Sequence, residues 1–170
     1  MSVETYHRMG ELGMLGKDVE LLRGIIVKKV AKSPLHEFVS QTLLERLMAA
    51  LPPGYTVRPE RPLTTPDSEP EPDIAVVQGV PADWLHAHPA VAQLAIEVSI
   101  STHRVDEKKA EIYAETGVVE YWLVLPEKRR VDLFRDPSPD GYATRTTLRD
   151  GDILSCTALP AVQIAVSENK

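Results

Sequence analysis

The sequence predicts a single α/β domain. Its 170 residues suit one hydrophobic core, and an apolar content of 43% is ordinary for a globular chain. Short apolar runs of strand character alternate with longer segments of helical periodicity. Gly and Pro punctuate these segments without marking off a second domain.

The elements follow in order. Val3, Tyr6, Met9 and Leu12 are spaced for a short helix within residues 3–15. Val19–Leu22 and Ile25–Val30 flank Arg23-Gly24 and read as a hairpin. Ser33-Pro34 is a helix cap followed by a first-turn proline. The helix behind it carries Leu35, Phe38, Val39, Leu43, Leu44, Leu47 and Met48 as its expected apolar face, and Pro52-Pro53-Gly54 ends it. Tyr55–Glu60 is an edge strand limited by Pro59. Residues 61–72 are a loop rich in proline and acid. Strands follow at 73–77 and 92–99, around a loop or short helix near Asp83-Trp84-Leu85. Arg104–Thr116 reads as a helix closed by Gly117. Val119–Leu125 is a strand, and Val131–Phe134 pairs with it across Pro126–Arg129. Short strands are expected around Tyr142–Leu148 and Ile153–Val166, followed by a loose tail at Ser167–Lys170.

Composition excludes several classes. No apolar run is long enough to span a membrane, and the N-terminus lacks the basic-then-apolar layout of a secretory signal. Cys156 is the sole cysteine, which rules out an intrachain disulfide and a cysteine-based zinc site. The expected compartment is a reducing cytoplasm. A net charge of −6 opposes broad nonspecific binding to nucleic acid but allows a local basic groove. Lys128, Arg129 and Arg130 form one small basic cluster, read as a solvated hairpin turn.

The chemistry centres on Lys109. At about 100° per residue, Val105, Ile112, Tyr113 and Thr116 share one helix face, and Lys109 falls near its middle. A lysine there must snorkel, pair with a charge or serve a site. Two acids lie upstream inside apolar runs, Asp73 before Ile74-Ala75-Val76-Val77 and Glu97 within Leu94-Ala95-Ile96-Glu97-Val98. Side chains alternate along strands, so the two carboxylates converge if the strands are neighbours. Hard oxygen ligands of this kind suit Mg²⁺ or Mn²⁺, with the Val98 carbonyl as a third ligand. In that arrangement Lys109 orients the attacking water or stabilises the transition state.

The order Pro72-Asp73, then Glu97-Val98-Ser99, resembles the PD-(D/E)XK nucleases. The wider text resembles one branch, the Uma-type restriction endonuclease family. The resemblance covers the hairpin from Glu20 to Val27, His36, Glu71-Pro72-Asp73, Ile96-Glu97-Val98-Ser99, Ser101-Thr102, Asp106, Lys109 and Tyr113. It closes with Gly117-Val118-Val119-Glu120-Tyr121-Trp122, and runs from about residue 18 to residue 135. It implies a restriction-endonuclease-like mixed central sheet flanked by helices, with residues 136–170 as additional strands and tail. It also implies Mg²⁺-dependent hydrolysis of nucleic acid, with DNA as the substrate, and a homodimer.

The chain departs from the family pattern at three places. The superfamily's usual lysine would fall at Ser99, and Lys109 is read as its displaced counterpart. Ile25 stands where glutamate is frequent, and Ile100 where proline is frequent.

Each site residue has a plainer reading. Asp73 can simply start a strand, and Lys109 can be a buried ion pair only. His36 stands near metal or phosphate, or helps cap its helix; Glu20 joins the site or is an exposed strand residue. His86 and His88 read as a solvated loop. Tyr113, Tyr121 and Trp122 read as core aromatics. Ser99 and Thr102 contact a phosphate or lead into the helix, and Asp106 is explained by the helix dipole. The rival functions are a catalytically silent nuclease-like binding or scaffold module, and a hydrolase of small phosphate esters with a closed pocket.

Overall fold

The computed structural model of the chain describes residues 1–101 and 103–166. The role considered for Thr102 and the tail 167–170 lie outside the described residues. Helix α1 (Val3–Glu11) precedes strands β1 (Val19–Leu22) and β2 (Ile25–Lys28), then α2 (Pro34–Ala50). Strands β3 (Tyr55–Pro59), β4 (Ile74–Gln78) and β5 (Leu94–Val98) lead into α3 (His103–Glu115). Strands β6 (Glu120–Leu125), β7 (Arg130–Ser138), β8 (Gly141–Arg149), β9 (Ile153–Ser155) and β10 (Gln163–Ala165) complete the chain.

Six strands form one mixed sheet in the order β3-β4-β5-β6-β7-β8. Only β5 and β6 are parallel, because α3 carries the chain back between them. The sheet continues well past residue 135, since β7 runs to Ser138 and β8 pairs with it out to Arg149. Strands β9 and β10 form a separate small sheet.

Strand alternation sorts the core onto two faces. Ile74, Val76, Leu94, Ile96, Val98 and Trp122 pack with Leu43 and Leu47 of α2 and with Leu154, Leu159 and Val162 of the C-terminal segment. Ala75, Val77, Ala95, Tyr121 and Leu123 pack with Ala110 and Tyr113 of α3. Asp73 has the parity of Ala75, and Glu97 that of Ala95, so both acids belong to the α3 face.

The hairpin turn forms where expected, with Arg23 at φ 52° and Gly24 at φ 73°, the left-handed pair that matches strand twist. Arg23 then donates to both carboxylate oxygens of Glu115 at 2.7 and 2.6 Å, which ties the hairpin to α3.

Helix α2 differs from its expected packing. Its buried residues are His36, Leu43 and Leu47. These lie on one i, i+7, i+11 row, which turns Leu35, Phe38 and Met48 outward. The apolar residues are spread around this helix, so periodicity alone could not choose the inward row. Arg129 and Arg130 of the basic cluster pair with Asp150 and Asp132. No helix among the described residues is long and apolar enough to cross a membrane.

Candidate active site

Asp73, Glu97, Lys109, His36 and Glu20 meet in one buried cluster beside a cavity of about 550 Å³. Four elements bring them there. Asp73 immediately precedes β4, and Glu97 lies on the antiparallel neighbour β5. Lys109 projects from α3 and His36 from the first turn of α2, where the His36 N–H bonds the Ser33 cap at 3.2 Å. Glu20 comes from β1, and its Oε2 accepts the Glu71 N–H at 3.1 Å.

Lys109 Nζ lies 2.9 Å from Glu97 Oε1 and 3.0 Å from Glu20 Oε1. Tyr113 hydroxyl donates to the same Glu97 Oε1 at 2.9 Å, leaving Oε2 outside both contacts. On Asp73, Oδ2 accepts the Val98 N–H at 2.8 Å and meets His36 Nε2 at 3.0 Å. Lys32 Nζ approaches Oδ1 at 3.2 Å. Asp106 is buried and also lines the cavity, with Val98.

Charge sets the character of the cluster. The carboxylates of Glu20, Asp73 and Glu97 face the ammoniums of Lys109 and Lys32, so acids outnumber ammoniums here. Burial pushes Glu97 well above the usual carboxylate range; Lys109 opposes this, while Asp73, Asp106 and Glu20 add to it. Burial also acts to lower Lys109, but Glu97, Glu20 and Asp106 outweigh it and raise its pKa, so the ammonium stays charged. Asp73 behaves oppositely to Glu97. Burial would raise it, yet His36, the Val98 N–H and Lys32 together hold it below its ordinary value. Burial and Glu97 raise Tyr113, which therefore remains a donor.

The donor set fits a hard divalent cation. Asp73 and Glu97 offer carboxylate oxygens from adjacent strands, the donor type a hard divalent cation takes. Among the described residues no three His, Cys, Asp or Glu side chains form a metal-holding group.

Sequence reasoning missed three contributors. Tyr113 was read as core; it is core, but its hydroxyl holds Glu97. Its position four residues after Lys109, on the same face, was the available signal. Asp106, three residues before Lys109, carried a similar signal. Lys32 carried none, because it reaches Asp73 from an irregular segment. Ser99 is buried, and its N–H bonds the Val124 carbonyl at 2.8 Å, extending the β5–β6 pairing. His88 contacts Arg58 at 3.2 Å on the surface.

Comparison with known proteins bears on the family and the fold. The sequence profile of the family described as "Uma2: Putative restriction endonuclease" matches residues 3–167. The fold matches a crystal structure described as "a putative nuclease belonging to DUF820" from Anabaena variabilis. The TM-score is 0.75 at 16% identity, covering 93% of this chain and 94% of that one. At that identity the likeness is one of fold. No curated protein matches the sequence significantly.

Proposed function

This chain belongs to the Uma2 family, described as putative restriction endonucleases, and from that premise and the acidic cluster we propose a metal-dependent endonuclease that hydrolyses nucleic acid, with DNA as the substrate class. The observation that carries the reading is the convergence of Asp73, Glu97 and Lys109 at one cavity, with Lys109 2.9 Å from Glu97.

Asp73 and Glu97, with the Val98 carbonyl, would hold Mg²⁺ or Mn²⁺. Such an ion neutralises charge on a phosphate and lowers the pKa of a bound water. The chain supplies the rest. His36 and the Val98 N–H fix the orientation of Asp73, and Tyr113 fixes Glu97. Lys109 has three N–H donors. Glu97 and Glu20 take up two of them. The third is left to stabilise charge developing on phosphate oxygens or to orient the attacking water. Glu20 keeps the ammonium in place. Cutting both strands of a duplex needs two sites, which a homodimer would supply.

The test is Mn²⁺-dependent cleavage of plasmid and single-stranded substrates at low salt, beside Asp73→Ala and Lys109→Ala. Wild type is expected to cut, and each variant to lose about 100-fold or more while staying folded. Inactivity of wild type combined with Mn²⁺-raised melting would point to a metal-binding module with another task. Absence of both effects would favour a silent scaffold, in which Lys109 with Glu20 and Glu97 is only a buried ion pair.

A further inference from the structure

The two lysines of the acidic cluster are held differently. Lys109 stands on a helix, is 5% exposed along its side chain, and is gripped by two carboxylates. Lys32 stands in the irregular segment between β2 and α2, with its side chain 29% exposed. Its ammonium touches Asp73 Oδ1 at 3.2 Å and also contacts Glu60. Glu60 is half exposed, and its N–H bonds the Asp73 carbonyl at 3.0 Å, so both acids are anchored side by side.

Asp73 Oδ2 is occupied by the Val98 N–H and His36. Oδ1 is therefore the edge that an incoming cation would use, and Lys32 stands on it. An ammonium and a divalent ion on one carboxylate oxygen repel strongly in a partly buried site. Glu60 already holds this ammonium and would keep it once Oδ1 is given up.

We propose that Lys32 is a placeholder cation, which covers Asp73 Oδ1 in the metal-free protein while paired with Glu60, and which gives up Oδ1 and keeps Glu60 alone when the metal binds. This rests on the metal site proposed above. Lys32 acts through Asp73 and is a positioning residue. It keeps Asp73 compensated before loading and sets a threshold for metal affinity.

The test uses the full chain and Mn²⁺ alone, without nucleic acid. Calorimetric titration should show Lys32→Met binding Mn²⁺ about fivefold tighter than wild type, the scale of one partly exposed ion pair. Glu60→Gln, which leaves Lys32 with Asp73 as its carboxylate partner, should bind more weakly. In wild type, labelling with an amine-acylating reagent, read by mass spectrometry, should rise severalfold at Lys32 on saturation with Mn²⁺, while Lys109 stays protected. Wild type that binds no Mn²⁺ overturns both the metal site and this inference. Wild type that binds, with Lys32→Met unchanged or weaker, overturns the inference alone. Tighter binding by Lys32→Met without a labelling change also overturns it, because Lys32 would then act only through its field.

Discussion

Glu120 and Asp132 are as deeply buried as Glu97 and Asp73, and they lie in the same sheet, yet their surroundings differ. Glu120 accepts Trp122 Nε1 at 2.5 Å, Arg135 at 3.1 Å and the Thr157 N–H at 3.0 Å. Asp132 accepts Arg130 at 3.0 Å, Arg145 at 2.8 Å and Thr147 at 2.7 Å. Burial would raise Asp132, but Arg145, Thr147 and Arg130 hold it below its ordinary value. Guanidinium and other fixed donors use both oxygens of each acid. At the Asp73–Glu97 cluster the acids outnumber the ammoniums, one carboxylate is pushed up, and a cavity adjoins them. Burial of an acid is therefore not the mark of a site. An acid excess beside open space is what the proposed metal site rests on.

That contrast can be broken most directly at Glu97. Glu97→Gln should cost about 100-fold or more in Mn²⁺-dependent cleavage. Its metal-free stability should stay within about 1 kcal/mol of wild type, because Gln can still accept from Lys109 and Tyr113 and Lys109 keeps Glu20. Urea unfolding that shows a much larger loss would place Glu97 in the structural class.

Glu120→Gln should do the reverse. It loses a charge-assisted acceptor at a fully buried position, so urea unfolding should report a loss of about 2 kcal/mol. The rise in melting temperature with Mn²⁺ should survive, and its disappearance would mean that the two clusters are coupled.

A pH series sharpens the comparison further. Glu97, raised, holds its proton more tightly when folded, so its contribution to metal-free stability is present below the ordinary carboxylate pKa and is lost as pH rises through its raised value. Metal needs the deprotonated acid, so Mn²⁺ affinity should climb over that same rise, by up to about tenfold per pH unit. Asp73, lowered, is ionised throughout and limits binding only in acid, where its own stabilisation is lost. An affinity that fails to climb as pH rises above the ordinary carboxylate range would contradict the raised Glu97. The smallest effect is expected at Asp132→Asn, about 1 kcal/mol by thermal or urea unfolding, because Arg145 is 44% exposed and water screens the pair. A loss several times larger would show that Asp132 anchors β8.

Much of this protein was legible in its residues. The Arg23-Gly24 hairpin, the Ser33 cap, the Lys109 helix and the β4, β5 and β6 strands follow from local periodicity and turn chemistry, which act within a few residues. Asp73, Glu97 and Lys109 stood out because each interrupts an apolar pattern, and a charge in such a pattern is costly without a partner. The family resemblance supplied Glu20 and His36. Tertiary structure alone decided which row of α2 faces inward, since Leu35 and Phe38 are as apolar as Leu43 and only packing against the sheet distinguishes them. It also decided that Lys32 and Glu60 stand beside Asp73, and that β8 completes the sheet. The physical reason is range: patterns along a chain report which side of an element is buried, whereas partners distant in sequence are chosen by the packing of whole elements, which no short window contains.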